Sequence, residues 1–225
     1  IAIITGASEG LGQAFVRAVV HERCSFGAVP FEEIWIISRS GLRLNAVRQG
    51  LAPVRIRVIP MDITDKAARE ALEKRLYLEN PTIGLLVNCA GMGQTGRLED
   101  QSRHDLSATI LLNIHALTQL TSLCLPFMIP TGHLCTFRTG PRILQVASSA
   151  GFAPQPGFAV YAASKAYVIS LSRALHAELR FHNIASTAVC SGPLETGFVA
   201  RASGGKTQKP GGIKALFIAK PNKLA

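Results

Sequence analysis

The sequence predicts an α/β domain: a mostly parallel, doubly wound sheet with helices on both faces. Three observations lead there. Short Ile- and Val-rich runs alternate with longer segments of helical character. Most of these runs are apolar throughout, as strands covered on both faces are. Three glycines follow the first run, where the first helix begins. In order, residues 1–5, 34–38, 54–61, 84–88, 142–147 and 186–190 read as strands bounded by Gly, Pro, Asn or Asp. The intervening stretches 10–24, 42–51, 66–79, 104–125 and 159–181 are each long enough for a helix. Strand and helix in alternation mean repeated βαβ units. Val54-Arg55-Ile56-Arg57-Val58 alternates apolar and basic, which predicts an edge strand with one face near solvent. Residues 25–33 and 130–141 are longer connections than βα units usually need, and 202–212, with four glycines and two lysines, reads as a mobile lid or disordered loop.

Composition agrees with one globular domain. The chain has 225 residues, 48% hydrophobic and 17% charged, which excludes a disordered chain, a coiled coil or a collagen-like repeat. Its 24 Lys and Arg against 14 Asp and Glu give a net charge of +10, favouring anionic partners without naming one. The basic residues are dispersed and match no recognition motif, so nucleic acid is not the expected partner. Cys24, Cys89, Cys124, Cys135 and Cys190 are odd in number and widely spaced. That predicts reduced thiols and a cytoplasmic location. The six histidines form no HxxxH pair, so no metal is expected. No unbroken apolar run reaches the ~18 residues of a membrane span, and residues 108–130 are interrupted by Asn113, His115 and Gln119. No signal peptide is visible, and a start at Ile1, inside a strand, reads as trimming.

The first strand runs into Thr5-Gly6-Ala7-Ser8-Glu9-Gly10-Leu11-Gly12. Gly6, Gly10 and Gly12 at the mouth of a helix supply a tight turn, close backbone approach to a pyrophosphate, and close helix packing. The helix N-terminus adds free N–H groups and partial positive charge. At the end of the second strand an acid would hold an NAD ribose, whereas Arg accommodates the 2′-phosphate of NADP. Here Ser38-Arg39 stand in that place, with Arg43 one helical turn on, so NADP is favoured over NAD.

Tyr161 and Lys165 are four residues apart in a helical segment, hence on one face. A cation about 5–6 Å from the phenol, at an effective dielectric of ~20, contributes roughly 3 kcal/mol, or about two pK units of acidification. Tyr161 then becomes a general acid for carbonyl reduction and a base for alcohol oxidation. Ser148, or its neighbour Ser149, ends the strand over 142–147, where open α/β sheets bind ligands. No GxSxG elbow surrounds it, which excludes a serine-hydrolase reading. Asn113 lies inside an apolar helix, either as a helix-bending residue satisfied by backbone or as a water-holding member of a proton relay to Lys165.

The ordered set of Thr5 to Gly12, Asn88-Cys89-Ala90-Gly91, Asn113, Ser148 and Tyr161-xxx-Lys165 resembles the short-chain dehydrogenase/reductase family, over residues 1–198. The resemblance implies a Rossmann-like fold with seven strands and a catalytic tetrad of Asn113, Ser148, Tyr161 and Lys165. It implies that Ser148 stabilises the substrate, Tyr161 transfers the proton, and Lys165 binds the nicotinamide ribose and lowers the Tyr pKa. It further implies that Thr5, Ser8 and Leu11 belong to the phosphate turn, that Asp62 and Ile63 flank the adenine, and that Asn88, Ala90 and Gly91 support the sheet and line the cofactor. Gly192, Leu194 and Thr196 fall at the carboxamide site, although Ser191-Gly192-Pro193 replaces the family's Pro-Gly there. A single catalytic domain over 1–225, a flexible substrate loop at about 195–214, and a homodimer or homotetramer complete the expectation. Met92, Gly93, Phe152, Pro154, Phe158, Leu194 and Phe198 would wall an apolar substrate pocket. The expected activity is NADP(H)-dependent interconversion of a carbonyl and a secondary alcohol on a small hydrophobic substrate. The alternatives are an NAD-dependent alcohol dehydrogenase and a non-catalytic dinucleotide-binding sensor or scaffold.

Overall fold

All six expected strands form, each bound within two residues of the one anticipated. The computed structural model describes residues 1–21, 31–51, 54–129, 140–192 and 202. The order is β1 (Ala2–Thr5), α1 (Gly10–His21), β2 (Ile34–Ser38), α2 (Gly41–Gln49), β3 (Ile56–Pro60), α3 (Lys66–Glu79), β4 (Leu85–Asn88), α4 (Arg103–Ile110), α5 (Leu117–Cys124), β5 (Arg142–Val146), α6 (Ala159–Glu178) and β6 (Ala185–Val189). The strands make one parallel sheet in the order β3-β2-β1-β4-β5-β6. The chain winds outward from β1 to β3, then returns to place β4 on the other side of β1. Ligands of such sheets bind where the winding reverses, at the carboxyl ends of the strands.

The sheet buries apolar side chains on both faces, with the period of two a strand imposes. Ile3, Trp35, Ile37 and Leu86 face one way, against Leu72 and Leu76 of α3 and Leu120 and Cys124 of α5. Ile4, Ile36, Leu85 and Val87 face the other, against Phe15 and Val16 of α1 and Leu44 and Val47 of α2. Ser40 caps α2 by accepting from Arg43 N, and Asp65 caps α3 by accepting from Ala67 N.

The strand expected at an edge, β3, is at one. Of the two arginines of the alternating stretch, Arg55 is exposed and Arg57 is partly buried. Arg57 lies 4.7 Å over the Trp35 ring and pairs with Glu33 at 3.0 Å and Glu79 at 2.6 Å, while Arg55 pairs with Glu33 at 3.2 Å. The guanidinium of Arg57 thus covers the otherwise open flank of the tryptophan.

The helix expected over 104–125 is continuous but not uniform. Between α4 and α5 a π-helical segment, Leu111–Ala116, inserts an extra residue into the ladder. The run Arg103–Phe127 is long and apolar enough to cross a membrane, but Asn113, Ala116, Leu117, Leu120, Thr121 and Cys124 are buried in the protein. Six strands are present among the described residues; the long connections near 25–33 and 130–141, and the loop at 202–212, lie almost entirely outside them.

Candidate active site

At the carboxyl ends of the strands lies a cavity of about 1300 Å³, running from the glycine-rich turn to Tyr161 and Lys165. Its first half is built from backbone. Gly6 has φ +65°, and a Cβ there would come 2.9 Å from the Ala90 nitrogen; a Cβ on Gly12 would collide with the Gly6 carbonyl. Glycine therefore lets α1 seat directly on the turn, and Ser8, Gly10 and Leu11 line the cavity beside it. Thr5 does not face this space. Its hydroxyl bonds the Val87 carbonyl and accepts from Cys89 N (3.0 Å) and Ala90 N (3.1 Å), tying the end of β1 to the end of β4. Asn88 is likewise framework: its amide donates to Thr121 Oγ1 and Gln145 Oε1, both buried. Ala90 and Gly91 line the cavity.

Ser38, Arg39, Asp62 and Ile63 line the same half. Ser38 Oγ is buried with no hydrogen-bond partner, a feature suited to a polar ligand group at the end of β2. Burial pushes the Asp62 carboxyl up, but hydrogen bonds from Thr64 Oγ1 and N and the charge of Arg39 outweigh it and hold it below the usual range. Arg43 is committed to Glu9 at 3.2 Å across the mouth of the turn. Arg69, absent from the sequence reading, is buried and donates to the Ile63 carbonyl at 2.7 Å, with His115 Nε2 3.4 Å away. An arginine in an amphipathic helix carries no local signal of such a role.

The second half is built from side chains. Ser148 follows β5, accepts from Ala150 N, and hydrogen-bonds Tyr161. Ser149 is exposed, so Ser148 is the hydroxyl beside the phenol. Lys165, 4% exposed, donates from Nζ to the Val146 carbonyl at 2.8 Å and lies 5.7 Å from the Tyr161 ring centre. Burial lowers its pKa to about 8, against the raising influence of Cys89 and Cys190. The expected acidification of Tyr161 is overturned: burial raises the phenol pKa, and the opposing influence is the Ser148 hydrogen bond. Desolvation outweighs the Coulomb attraction anticipated from spacing alone.

Asn113 sits fully buried in the π-helical segment, its side chain spent on three bonds. Oδ1 accepts from Met92 N (2.9 Å), and Nδ2 donates to Met92 O (2.7 Å) and Ser164 Oγ (2.9 Å). Ser164 Oγ in turn donates a hydrogen bond to the Tyr161 carbonyl at 2.7 Å. Two of the three bonds go to the Met92 backbone, as the backbone-satisfied alternative expects, and through Ser164 the residue holds the turn that carries Tyr161; none of the three reaches Lys165. Ser164, three residues after Tyr161 and thus on its face, was the member the sequence reading passed over. Met92, Gly93 and Phe158 line the cavity as expected, whereas Phe152 is 69% exposed and turned away. Gly192 lines it too; Leu194, Thr196 and Phe198 lie outside the described residues. Among the described residues no group of His, Cys, Asp and Glu could hold a metal.

The sequence model of the short chain dehydrogenase family matches residues 1–206. The chain belongs to that family. It is 26% identical over 210 residues to an uncharacterized oxidoreductase of Staphylococcus epidermidis, covering 93% of this chain and 84% of that one. Among solved structures it is similar to a short-chain dehydrogenase from Sphingobium yanoikuyae in complex with NADPH (28% identity, TM-score 0.80, 99% of this chain and 80% of that one). It is also similar to the bulky-bulky ketone specific alcohol dehydrogenase from Comamonas testosteroni (27% identity, TM-score 0.75, 99% and 78%). The protein is an oxidoreductase of the short-chain dehydrogenase family with a Rossmann-like nucleotide-binding fold.

Proposed function

We propose that the protein is an NADP(H)-dependent reductase that converts a carbonyl on a small apolar substrate to a secondary alcohol, with Tyr161 as the proton donor. One observation carries this reading: Ser148, Tyr161 and Lys165 open into the same cavity as the glycine-rich turn. A cofactor seated in that turn therefore reaches the phenol. The glycine cradle, the orphaned Ser38 hydroxyl and the Arg39 charge fit a phosphorylated adenosine ribose. When bound, NADPH supplies the hydride.

The rest is work for this chain's own residues. Ser148 and Tyr161, hydrogen-bonded to each other, present two hydroxyls to the substrate oxygen. Burial keeps the phenol protonated at neutral pH, so Tyr161 is ready to give a proton in the reductive direction. Lys165, held on the Val146 carbonyl, provides positive charge beside the phenolate that remains. Met92, Gly93 and Phe158 suit an uncharged, hydrophobic substrate. The ketone specificity of the Comamonas testosteroni relative supports a ketone as the carbonyl.

Exposed Ile110, Leu111 and Tyr167 on neighbouring helices support assembly as a homodimer or homotetramer. The free thiols Cys89, Cys124 and Cys190 support a reducing, cytoplasmic setting. A side-by-side titration with NADPH and NADH, followed by nicotinamide fluorescence, tests the cofactor choice. Tighter binding of NADPH is expected. Equal or tighter binding of NADH would refute it and favour an NAD-dependent alcohol dehydrogenase.

A further inference from the structure

The proton donor's ring is held by more than its hydrogen bond to Ser148. Phe158, three residues before Tyr161 and immediately ahead of α6, stacks on the Tyr161 ring with centroids 4.2 Å apart and planes 18° from parallel. From the loop after β4, the backbone of Gly93 closes on both rings. A Cβ at Gly93 would come 2.5 Å from Tyr161 Cδ2, 2.9 Å from Cγ and 3.0 Å from Phe158 Cε2.

The stack is fixed at its own ends as well. Phe158 stands immediately before α6, and its carbonyl accepts the Ala162 N–H at 2.9 Å. Its own N–H donates to the Gln155 carbonyl at 2.9 Å. The preceding Gly157 has φ +74°, and its carbonyl accepts the Gly96 N–H at 2.8 Å. The loop that carries Gly93 and the turn that carries Phe158 are thereby joined on two sides of Tyr161.

We infer that Phe158 and Gly93 are positioning residues for the proton donor: the stacked ring fixes the plane of Tyr161 and excludes water from one of its faces, and the bare glycine leaves the only space that plane allows. The inference rests on the reading of Tyr161 as proton donor. The raised phenol pKa has burial as its first cause, and Phe158 is part of that burial. Phe158→Ala removes neither the Ser148 hydroxyl, which hydrogen-bonds the phenol, nor the Lys165 ammonium, whose Nζ is 5.7 Å from the ring centre. A shift in phenol titration therefore reports water access.

The test uses the full chain with two readouts. The first is phenolate absorbance against pH, taken as the difference from Tyr161→Phe, which needs neither cofactor nor substrate. The second is steady-state reduction of an apolar aryl ketone by NADPH. Phe158→Ala is expected to move the Tyr161 titration to lower pH and to cut kcat about tenfold, with the NADPH dissociation constant within about twofold of wild type. Gly93→Ala, which pushes the ring without removing the stack, is expected to lower kcat about 100-fold. An unchanged Tyr161 titration in Phe158→Ala would overturn the inference. If Phe158→Ala does not fold, Phe158→Leu takes its place, with the same shift expected and the same absence of shift decisive. Failure of the proton-donor reading is separate: it would show as turnover surviving in Tyr161→Phe, with the titration results standing.

Discussion

The two halves of the cavity are built by different means. The cradle half is backbone: a turn whose glycines let α1 sit on the end of β1, so that its geometry is set within eight residues. The Tyr161 half is held by side chains: Asn113 and Ser164 bond each other and the backbone of Met92 and Tyr161, tying three separate stretches together. The difference teaches where each half is fragile. A cradle fails when a single atom is added to it. A side-chain relay fails when one member is withdrawn and the others are left buried without partners.

Adding that atom should give the largest effect. Gly12→Ala forces a methyl group against the Gly6 carbonyl; displacing the turn costs about 3 kcal/mol, which is about 100-fold in cofactor affinity. Fluorescence titration checks it, and affinity within twofold of wild type would show that the cradle tolerates what its geometry forbids. Withdrawing a relay member comes next. Asn113→Ala strands the Met92 N–H and carbonyl and should cost about 2–4 kcal/mol of stability. Denaturant unfolding measures that loss, and cofactor affinity should survive it.

Arg39→Ala sharpens the comparison within the cradle half. Loss of a charge-assisted hydrogen bond to the 2′-phosphate should weaken NADPH roughly 10- to 100-fold and leave NADH nearly unchanged. Parallel isotherms check this, and equal losses for both dinucleotides would remove Arg39 from the phosphate site.

The last effect is a pH dependence and concerns Lys165. Its folded pKa of about 8 lies below its unfolded value of 10.5. The unfolded chain therefore binds more protons between those values, and the cost of burying the ammonium is complete below about pH 8 and relieved as pH rises toward 10.5. Relative to Lys165→Met, the wild type should gain up to about 3 kcal/mol across that window. Unfolding of the two proteins at both ends of it gives the difference; a gap that stays constant would contradict the sign.

How much of this could be read from the chain follows from the same division. The six strands, β3 at the edge and the glycine turn were legible because each is encoded in neighbouring residues: apolar runs, alternation in 54–58, three spaced glycines. Ser148, Tyr161 and Lys165 were legible because strand ends and helix faces have fixed periods. The bonds of Asn113 were not, because its partners Met92 and Ser164 are 21 and 51 residues away. The direction of the Tyr161 shift was missed for a related reason: spacing reveals a charge nearby, whereas burial depends on everything packed around the phenol. Thr5 is the mirror case, a cradle residue by position whose hydroxyl the fold uses to join β1 to β4.

The most direct test is a single-turnover experiment on the wild type and Tyr161→Phe, each first saturated with NADPH as judged by nicotinamide fluorescence, then mixed with an apolar ketone. The account predicts equal NADPH binding and a rate of nicotinamide oxidation about 100- to 10,000-fold lower in the variant. Oxidation at the wild-type rate by Tyr161→Phe would contradict it, because the proton would then reach the substrate oxygen by another route.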